Sequence, residues 1–376
     1  MNRISKVALI LCACFVSVTW GQQPAGTCSN NWAEFHRPNM QRWNPCEKVL
    51  NVRNVGKLSL KWSYSTNYLV YSSPAVANGA VYVGSEDGHV YALNATTGAK
   101  LWSYSTPNRV VYSSPAVANG VVYFGSDNGH VYALNARTGA KLWSYNTVYS
   151  VDSSPTVVNG VVYIGSGNHN VYALKASTGA KLWSFSTLDI VDSSPAVADG
   201  VVYVSSADGY LYALSAKTGA KLWNGPGGGG ESSPAVANGV VYVGSGQGSV
   251  YAFNAKTGAE LWSYGTGGQA VNSSPAVADE VVYVGSLDGT VYALSAKTGA
   301  KLWSYITGQS VYSSPAVANG VVYVGSYDGN VYALNASTGA FLWSYLTGGG
   351  DSSPAVANGV LYVGSRDYHV YAFGLK

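Results

Sequence analysis

Apolar residues along this chain fall in short runs, four to a unit of about forty residues, and the units repeat from end to end. With small changes the runs read SSPAVA, VVYVGS, VYALNA and AKLWSY. Each has strand length, is rich in β-branched and aromatic residues, and stops at a turn signal. Asn119-Gly120 supplies the positive φ angles of a tight hairpin, and Asp288-Gly289 and Thr138-Gly139 mark the other two joints. One unit is therefore a predicted four-stranded antiparallel meander.

Aligned on SSP, the copies place prolines at Pro74, Pro115, Pro155, Pro195, Pro234, Pro275, Pro315 and Pro354. Eight tryptophans keep the same step: Trp62, Trp102, Trp143, Trp183, Trp223, Trp262, Trp303 and Trp343. A single meander cannot cover both of its apolar faces, so neighbours must stack. The last copy stops after its third strand, at VYAFGLK, while GKLSLKWSYST (56–66) is a fourth strand without a unit of its own. Joined, they complete one blade. The expected fold is all-β, an eight-bladed β-propeller of four-stranded antiparallel blades, closed by an N-terminal strand that completes the last blade.

Composition agrees with a folded, strand-rich chain: charged residues are 10% of it, against 30 Tyr and 11 Trp. The net charge of +3 falls to +1 without Arg3 and Lys6, so no nucleic-acid partner is expected. Those two cations precede an apolar run from Val7 to Val18, which reads as a signal peptide over 1–21 and places the protein in the periplasm or outside the cell. That run is short for a membrane span, and no other segment qualifies, so the mature chain is not expected to be transmembrane. Cys14 is a poor match to a lipid-anchored cysteine because hydrophobic FVSV follows it. Cys12 and Cys14 leave with the signal. Cys28 and Cys46 remain in a leader over 22–55 and are expected to form a disulfide, worth about 3 kcal/mol in the chain-entropy picture. Trp32, Phe35 and Trp43 in that leader should either pack on an outer blade surface or cover one end of the channel.

The unit resembles the PQQ-like, or quinoprotein-type (pyrrolo-quinoline quinone repeat), propeller family. Its tryptophan-docking pattern, Ala-x-Asp/Asn-x-x-Thr-Gly-x-x-x-Trp, is met by ALNATTGAKLW from Ala92 and ALNARTGAKLW from Ala133, and Lys175, Ser215 and Ser295 depart from it only at the third position. The resemblance spans residues 56–376 and implies that each tryptophan docks on the neighbouring blade. It also implies several activities. A PQQ-dependent alcohol or sugar dehydrogenase would hold PQQ and calcium on the axis. This chain lacks the adjacent cysteine pair, the long insertions, a spare tryptophan for the channel floor and a Cys-x-x-Cys-His haem site. No catalytic residue and no cofactor are therefore assigned. A second alternative is an outer-membrane protein assembly factor of the propeller lipoprotein type.

The turns within A-B and C-D pairs, counting strands outward from the axis, hardly vary, whereas the loops on the other face do, as in TVYSVD and GPGGGGE. Recognition is expected there. Just before each SSP stand Tyr71, Tyr112, Asp152, Asp192, Glu231, Asn272, Tyr312 and Asp351, a candidate rim for a hard cation or a ligand bearing hydroxyl or amine groups. His89, His130 and His369 are equivalent to one another but too far from the axis to share a metal. Lys100, Lys141, Lys181, Lys221 and Lys301 guard the outer edges against strand pairing. The expected function is a non-catalytic, monomeric, extracytoplasmic scaffold whose partner is an envelope or extracellular protein, or a polysaccharide.

Overall fold

In the computed structural model, which describes residues 31–36, 40–107 and 110–376, every copy is a four-stranded antiparallel blade, and the sheet of blade 7 gains a fifth strand, Trp43–Asn44 of the leader, parallel to its innermost strand Ala316–Ala318. Blade 1 comprises Ala75–Ala77, Ala80–Gly84, His89–Asn94 and Lys100–Ser105, named strands A to D from the axis outward. Blades 2 to 7 follow in chain order. Blade 8 takes strands A to C from Ala355–Ala357, Val360–Gly364 and His369–Gly374, and its strand D is Ser59–Ser65, paired antiparallel to the last of these. The ring closes as the strand pattern implies. The expected signal peptide and Cys28 lie outside the described residues; Cys46 is buried and disulfide-bonded.

Strand A is shorter than expected, three residues that read Ala-Val-Ala except in blade 3 (Thr156–Val158), because the SSP segment is used differently. Proline has no N–H for a ladder, and the serines bond elsewhere. The N–H of Ser73 donates to Ser114 Oγ of the next blade at 2.9 Å, and the same bond recurs round the ring until Ser353 N–H reaches Ser73 Oγ. The preceding serine turns inward on its own blade, where Ser72 Oγ accepts the Gly84 N–H at 3.0 Å. Both serines are thereby demanded in every copy.

On the outer side each strand D carries a β-bulge just before its tryptophan, between Ala92 and Leu93 of the paired strand in blade 1. The extra residue, Leu101, is turned to solvent, while Trp102 tucks under the next blade. Its Nε1 donates to Ala136 O at 2.9 Å, and the Tyr82 hydroxyl reaches the same carbonyl. Gly139 lies against the indole, where a Cβ would come within 2.8 Å of the ring, and its φ of +72° suits glycine. Seven junctions share this docking. At the eighth, between blades 7 and 8, Trp343 instead meets the edge of Phe373, and the fully buried Tyr323 hydroxyl has no acceptor. Leu50 and Val55 of the leader, with Leu58 just before the closing strand, pack into that junction's core.

The leader explains how the channel is closed at one end. Its backbone and side chains touch the innermost strand region of every blade in turn. Trp32 pairs with Val76, Val117 N–H donates to Ala33 O, and Val157 N–H to the Glu34 carboxylate. His36 Nε2 then donates to Ser194 O, Val236 and Val277 N–H groups to Met40 O and Gln41 O, Val317 N–H to Arg42 O, and Asn44 Nδ2 to Val356 O. Trp32 is 1% exposed inside the ring. Of the two places expected for the leader, the outer blade surface is therefore not the one used. Strand A has a free inner edge in each blade, and the leader satisfies those edges.

Candidate functional site

Above the leader the channel widens into a cup of about 310 Å³ whose floor is Phe35 and the second serine of each SSP. All eight residues that precede SSP, from Tyr71 round to Asp351, line its wall. They stand ahead of strand A rather than within it. The rings of Tyr71 and Tyr112, from adjacent blades, stack with centroids 5.9 Å apart.

Burial dominates the electrostatics of this wall. It pushes Asp152 up to about 7, helped by the charges of Asp192, Asp127 and Glu231. Asp192 and Glu231 are also raised, first by burial and then by neighbouring carboxylates. Asp351 is raised by burial, against the opposing effects of Tyr327 and Arg366. Asp152 Oδ1, Asn272 Oδ1 and Asp351 Oδ1 are shielded from solvent and have no hydrogen-bond partner.

A second ring, missed in the sequence, surrounds the first. It is the residue after the Gly-Ser that ends strand B: Glu86, Asp127, Gly167, Ala207 (after Ser-Ser), Gly246, Leu287, Tyr327 and Arg366. Its signal was available, since this is the varying position of an otherwise repetitive turn. The turn's next residue is Asp in five copies, Asn in two and Gln in one, and its role is structural: Asp87 accepts from the Tyr91 hydroxyl at 2.6 Å and from the His89 N–H at 3.0 Å. On the arc of blades 7, 8, 1 and 2 the two rings pair. Tyr327 hydrogen-bonds Asp351, Tyr71 bonds Arg366, Tyr112 bonds Glu86, and the Arg366 guanidinium lies 4.8 Å above the Tyr327 ring. On the arc of blades 3 to 5 the outer ring is Gly167, Ala207 and Gly246, which offer the rim nothing. There a side pocket of about 310 Å³ opens and shares Asp192, Glu231 and Asn272 with the cup.

The other candidates are plainly placed. His89, His130 and His369 bond Asp87, Asn128 and Asp367 of their own turns. The five lysines are exposed on strands D. Among the described residues no three His, Cys, Asp or Glu side chains are grouped as a metal ion needs, and no helix is long and apolar enough to cross a membrane.

The repeat model of the family described as outer membrane protein assembly factor BamB matches residues 56–151, 127–231, 225–312 and 306–376. The chain belongs to that family. Among curated relatives, the dehydrogenase subunit of the quinone-dependent alcohol dehydrogenase of Gluconobacter oxydans is 33% identical over 120 residues, 27% of this chain and 16% of that protein. The chain thus spans a small part of that relative's length. The structure of BamB from Moraxella catarrhalis superimposes with a TM-score of 0.72 at 23% identity, covering 84% of this chain and 99% of that one. Quinohemoprotein alcohol dehydrogenase ADHIIG of Pseudomonas putida superimposes with a TM-score of 0.79 at 19% identity, covering 92% and 80%. At these identities the structural likenesses concern the fold.

The cup does not suit the cofactor of the dehydrogenases. PQQ carries three carboxylates, and this wall presents four more, with Arg366 the cation acting on it and engaged with Tyr71 and Tyr327. Calcium would need several oxygens converging within about 2.5 Å of one point, and the carboxylates are not so grouped. The wall therefore supports no catalytic step through that cofactor.

Proposed function

We propose that this protein is a non-catalytic, extracytoplasmic binding scaffold that acts as a monomer, with the channel mouth and the variable loops as its recognition surface. Its partner is an envelope or extracellular protein, or a polysaccharide; an assembly role like that named for its family is one form of this reading. The observation that carries it is where variation sits. Copies nearly identical elsewhere differ at the two rings of the mouth, and there Asp152 and Asp351 each keep one solvent-shielded oxygen without a hydrogen-bond partner. Unpaired buried polar groups cost stability, so they mark places kept for something other than folding. Residues 1–21, read as a signal, support the compartment.

The test is twofold. Thermal unfolding with PQQ and calcium, separately and together, is expected to show no shift, whereas ligand at a hundred times its Kd would add about 2.7 kcal/mol. Capture of envelope components by the immobilised mature protein should be lost in the double variant Asp152→Ala, Glu231→Ala. A shift seen only with both PQQ and calcium, or capture indifferent to the double variant, would sink the scaffold reading at this surface.

A further inference from the structure

We propose that the face covered by the leader holds a second site, which takes the free N-terminus of an extended partner polypeptide. The α-ammonium of that peptide lies on Glu34 and one of its main-chain carbonyls on the Val197 N–H. The site lies on the face opposite the mouth and does not rest on the mouth being a recognition surface.

The first observation is a gap where the leader meets the strands A. In six blades the middle residue of strand A gives its N–H to the leader: Val76 to Trp32 O, Val117 to Ala33 O, Val157 to Glu34, Val236 to Met40 O, Val277 to Gln41 O and Val317 to Arg42 O. In blade 8 the leader instead takes the Val356 carbonyl through Asn44. Blade 4 has neither bond. Val197 stands opposite Val202 in the register that Val157 has with Val162, so its N–H points inward in the same way. His36 reaches this blade ahead of the strand, at Ser194 O, and no described leader group bonds the N–H or carbonyl of Val197, which is 8% exposed. A backbone donor so shielded costs free energy until an acceptor reaches it.

The second is Glu34. At the five other N–H contacts the leader answers with a neutral main-chain carbonyl, so the frame asks for an acceptor and not for a charge. At blade 3 it answers with a carboxylate that is 6% exposed. That group has one hydrogen bond, from the Val157 N–H to Oε2 at 3.2 Å, and no cation beside it among the described residues. Burial pushes it up to about 7, against the pull of the Val157 N–H. A buried carboxylate with one oxygen in use has room for a cationic donor.

The third is that Glu34 and Val197 line one cavity, of about 810 Å³, which opens to solvent past the exposed A-B turn residues Asn159 and Asp199. Val157, Val158, Val236 and Met40 give it an apolar wall, suited to small or aliphatic side chains. The rest of the ring shows what these inner edges accept. Trp32 bridges Val76 antiparallel, and Trp43–Asn44 lies parallel to Ala316–Ala318, so extended backbone fits them in either direction. A segment added to strand A of blade 4 continues that interface. Its first residue alone joins a cation to a carbonyl acceptor through a single carbon, which matches a carboxylate and a backbone N–H in one cavity.

The experiment is calorimetric titration of the mature protein with a tetrapeptide amide of alternating alanine and valine, once with a free N-terminus and once acetylated, beside n-butylamine. The free peptide should bind roughly tenfold or more tightly than either of the others. That comparison needs no variant. In Glu34→Gln, which keeps an acceptor for the Val157 N–H, the two peptides should bind alike. Glu280→Gln, the same charge change on an exposed turn of this face, should leave their difference intact. A preference for the free peptide that survives Glu34→Gln, or that disappears in Glu280→Gln, means that the ammonium is not held at Glu34 and overturns the proposal. Binding of n-butylamine as tight as that of the free peptide means that the strand edge adds nothing, and overturns the peptide. Dimers in sedimentation that vanish in Glu34→Gln put the start of a second copy in the gap and overturn a separate partner. Silence with every ligand overturns the site and leaves the mouth to its own test, the capture of envelope components.

Discussion

The leader end and the mouth of the channel rest on the same eight inner strands, and each breaks the eightfold symmetry with residues that occur once. At the leader end the unique residues are largely matched to the frame, with buried His36 Nδ1 left without a partner. Arg42 is fully buried, with Nε on Pro315 O at 2.9 Å and Nη2 near Ser314 O and Pro354 O, and its guanidinium lies 4.5 Å from the Phe35 ring. Glu47, also buried, accepts the N–H groups of Val49, Leu50 and Gly359. At the mouth the unique residues are mismatched, and Asp152 stands among Asp192, Glu231 and Asp127 with one oxygen unpartnered. Asymmetry that is satisfied seals and stabilises; asymmetry left unsatisfied is available to a ligand.

The largest expected effect comes from breaking the satisfied end. Arg42→Ala strips four carbonyls, those of Phe35, Ser314, Pro315 and Pro354, of a charged donor and removes the side chain stacked on Phe35 and Trp32. It should lower the unfolding free energy by about 3 to 5 kcal/mol, read from the denaturant midpoint at unchanged slope. Burial pulls this arginine down to about 9, so it remains charged at neutral pH and the loss is that of a cation.

At the mouth the sign reverses. A carboxylate whose folded pKa lies above its unfolded value takes up a proton on folding. Its destabilising effect is therefore fully present above pH 7, fades as pH falls through 7, and is gone below about 4. Asp152→Asn should then stabilise the protein by about 2 kcal/mol at pH 8, roughly half of what the full shift implies, because part of the group remains solvated. The gain should vanish near pH 4, as paired thermal melts would show, and the same variant should bind more weakly at the mouth.

Two positions apart in the chain, the fixed and variable rings can be compared directly. Ser274→Ala leaves the Ser233 N–H without its acceptor and opens the serine ring at one bond. A loss of about 1 to 2 kcal/mol is expected. Asn272→Ala, on the rim, removes an oxygen that bonds nothing and should stay within about 0.5 kcal/mol. Equal losses in the two melts would mean that the rim is structural after all.

How much of this was legible follows from what each feature depends on. The blades, the closing strand and the docking tryptophans were readable because each rests on a local pattern repeated eight times, and a repeated pattern reports a shared environment. The rim was readable once the copies were aligned on SSP, since Asp152 or Tyr312 then stands out against its equivalents. The leader's path was not, because Trp32, Glu34 and Arg42 occur once and find their partners far along the chain, at Val76, Val157 and Pro315. The side pocket was hidden for a different reason. It is made by what Gly167, Ala207 and Gly246 lack, and a hydrophobic pattern does not register missing side chains.

The smallest effect tests whether every departure from the repeat is a site. On the leader's face the A-B turn reads Asn-Gly or Asp-Gly in seven blades and Asp279-Glu280 in the sixth. Glu280 takes a φ of +63° where the others place glycine, and its exposed side chain makes no hydrogen bond. Holding a non-glycine residue there costs about 1 to 2 kcal/mol, and returning glycine gives back part of that through the freer unfolded chain. Glu280→Gly should therefore raise stability by roughly 0.5 to 1 kcal/mol and leave capture of envelope components at the mouth unchanged. A stabilised protein with intact binding would separate a copy that has drifted, here, from copies that differ for a ligand, as at Asp152 and Ala207. Weaker binding in that variant would mean that the two faces of the ring are coupled through strand A, and the contrast between them would have to be redrawn.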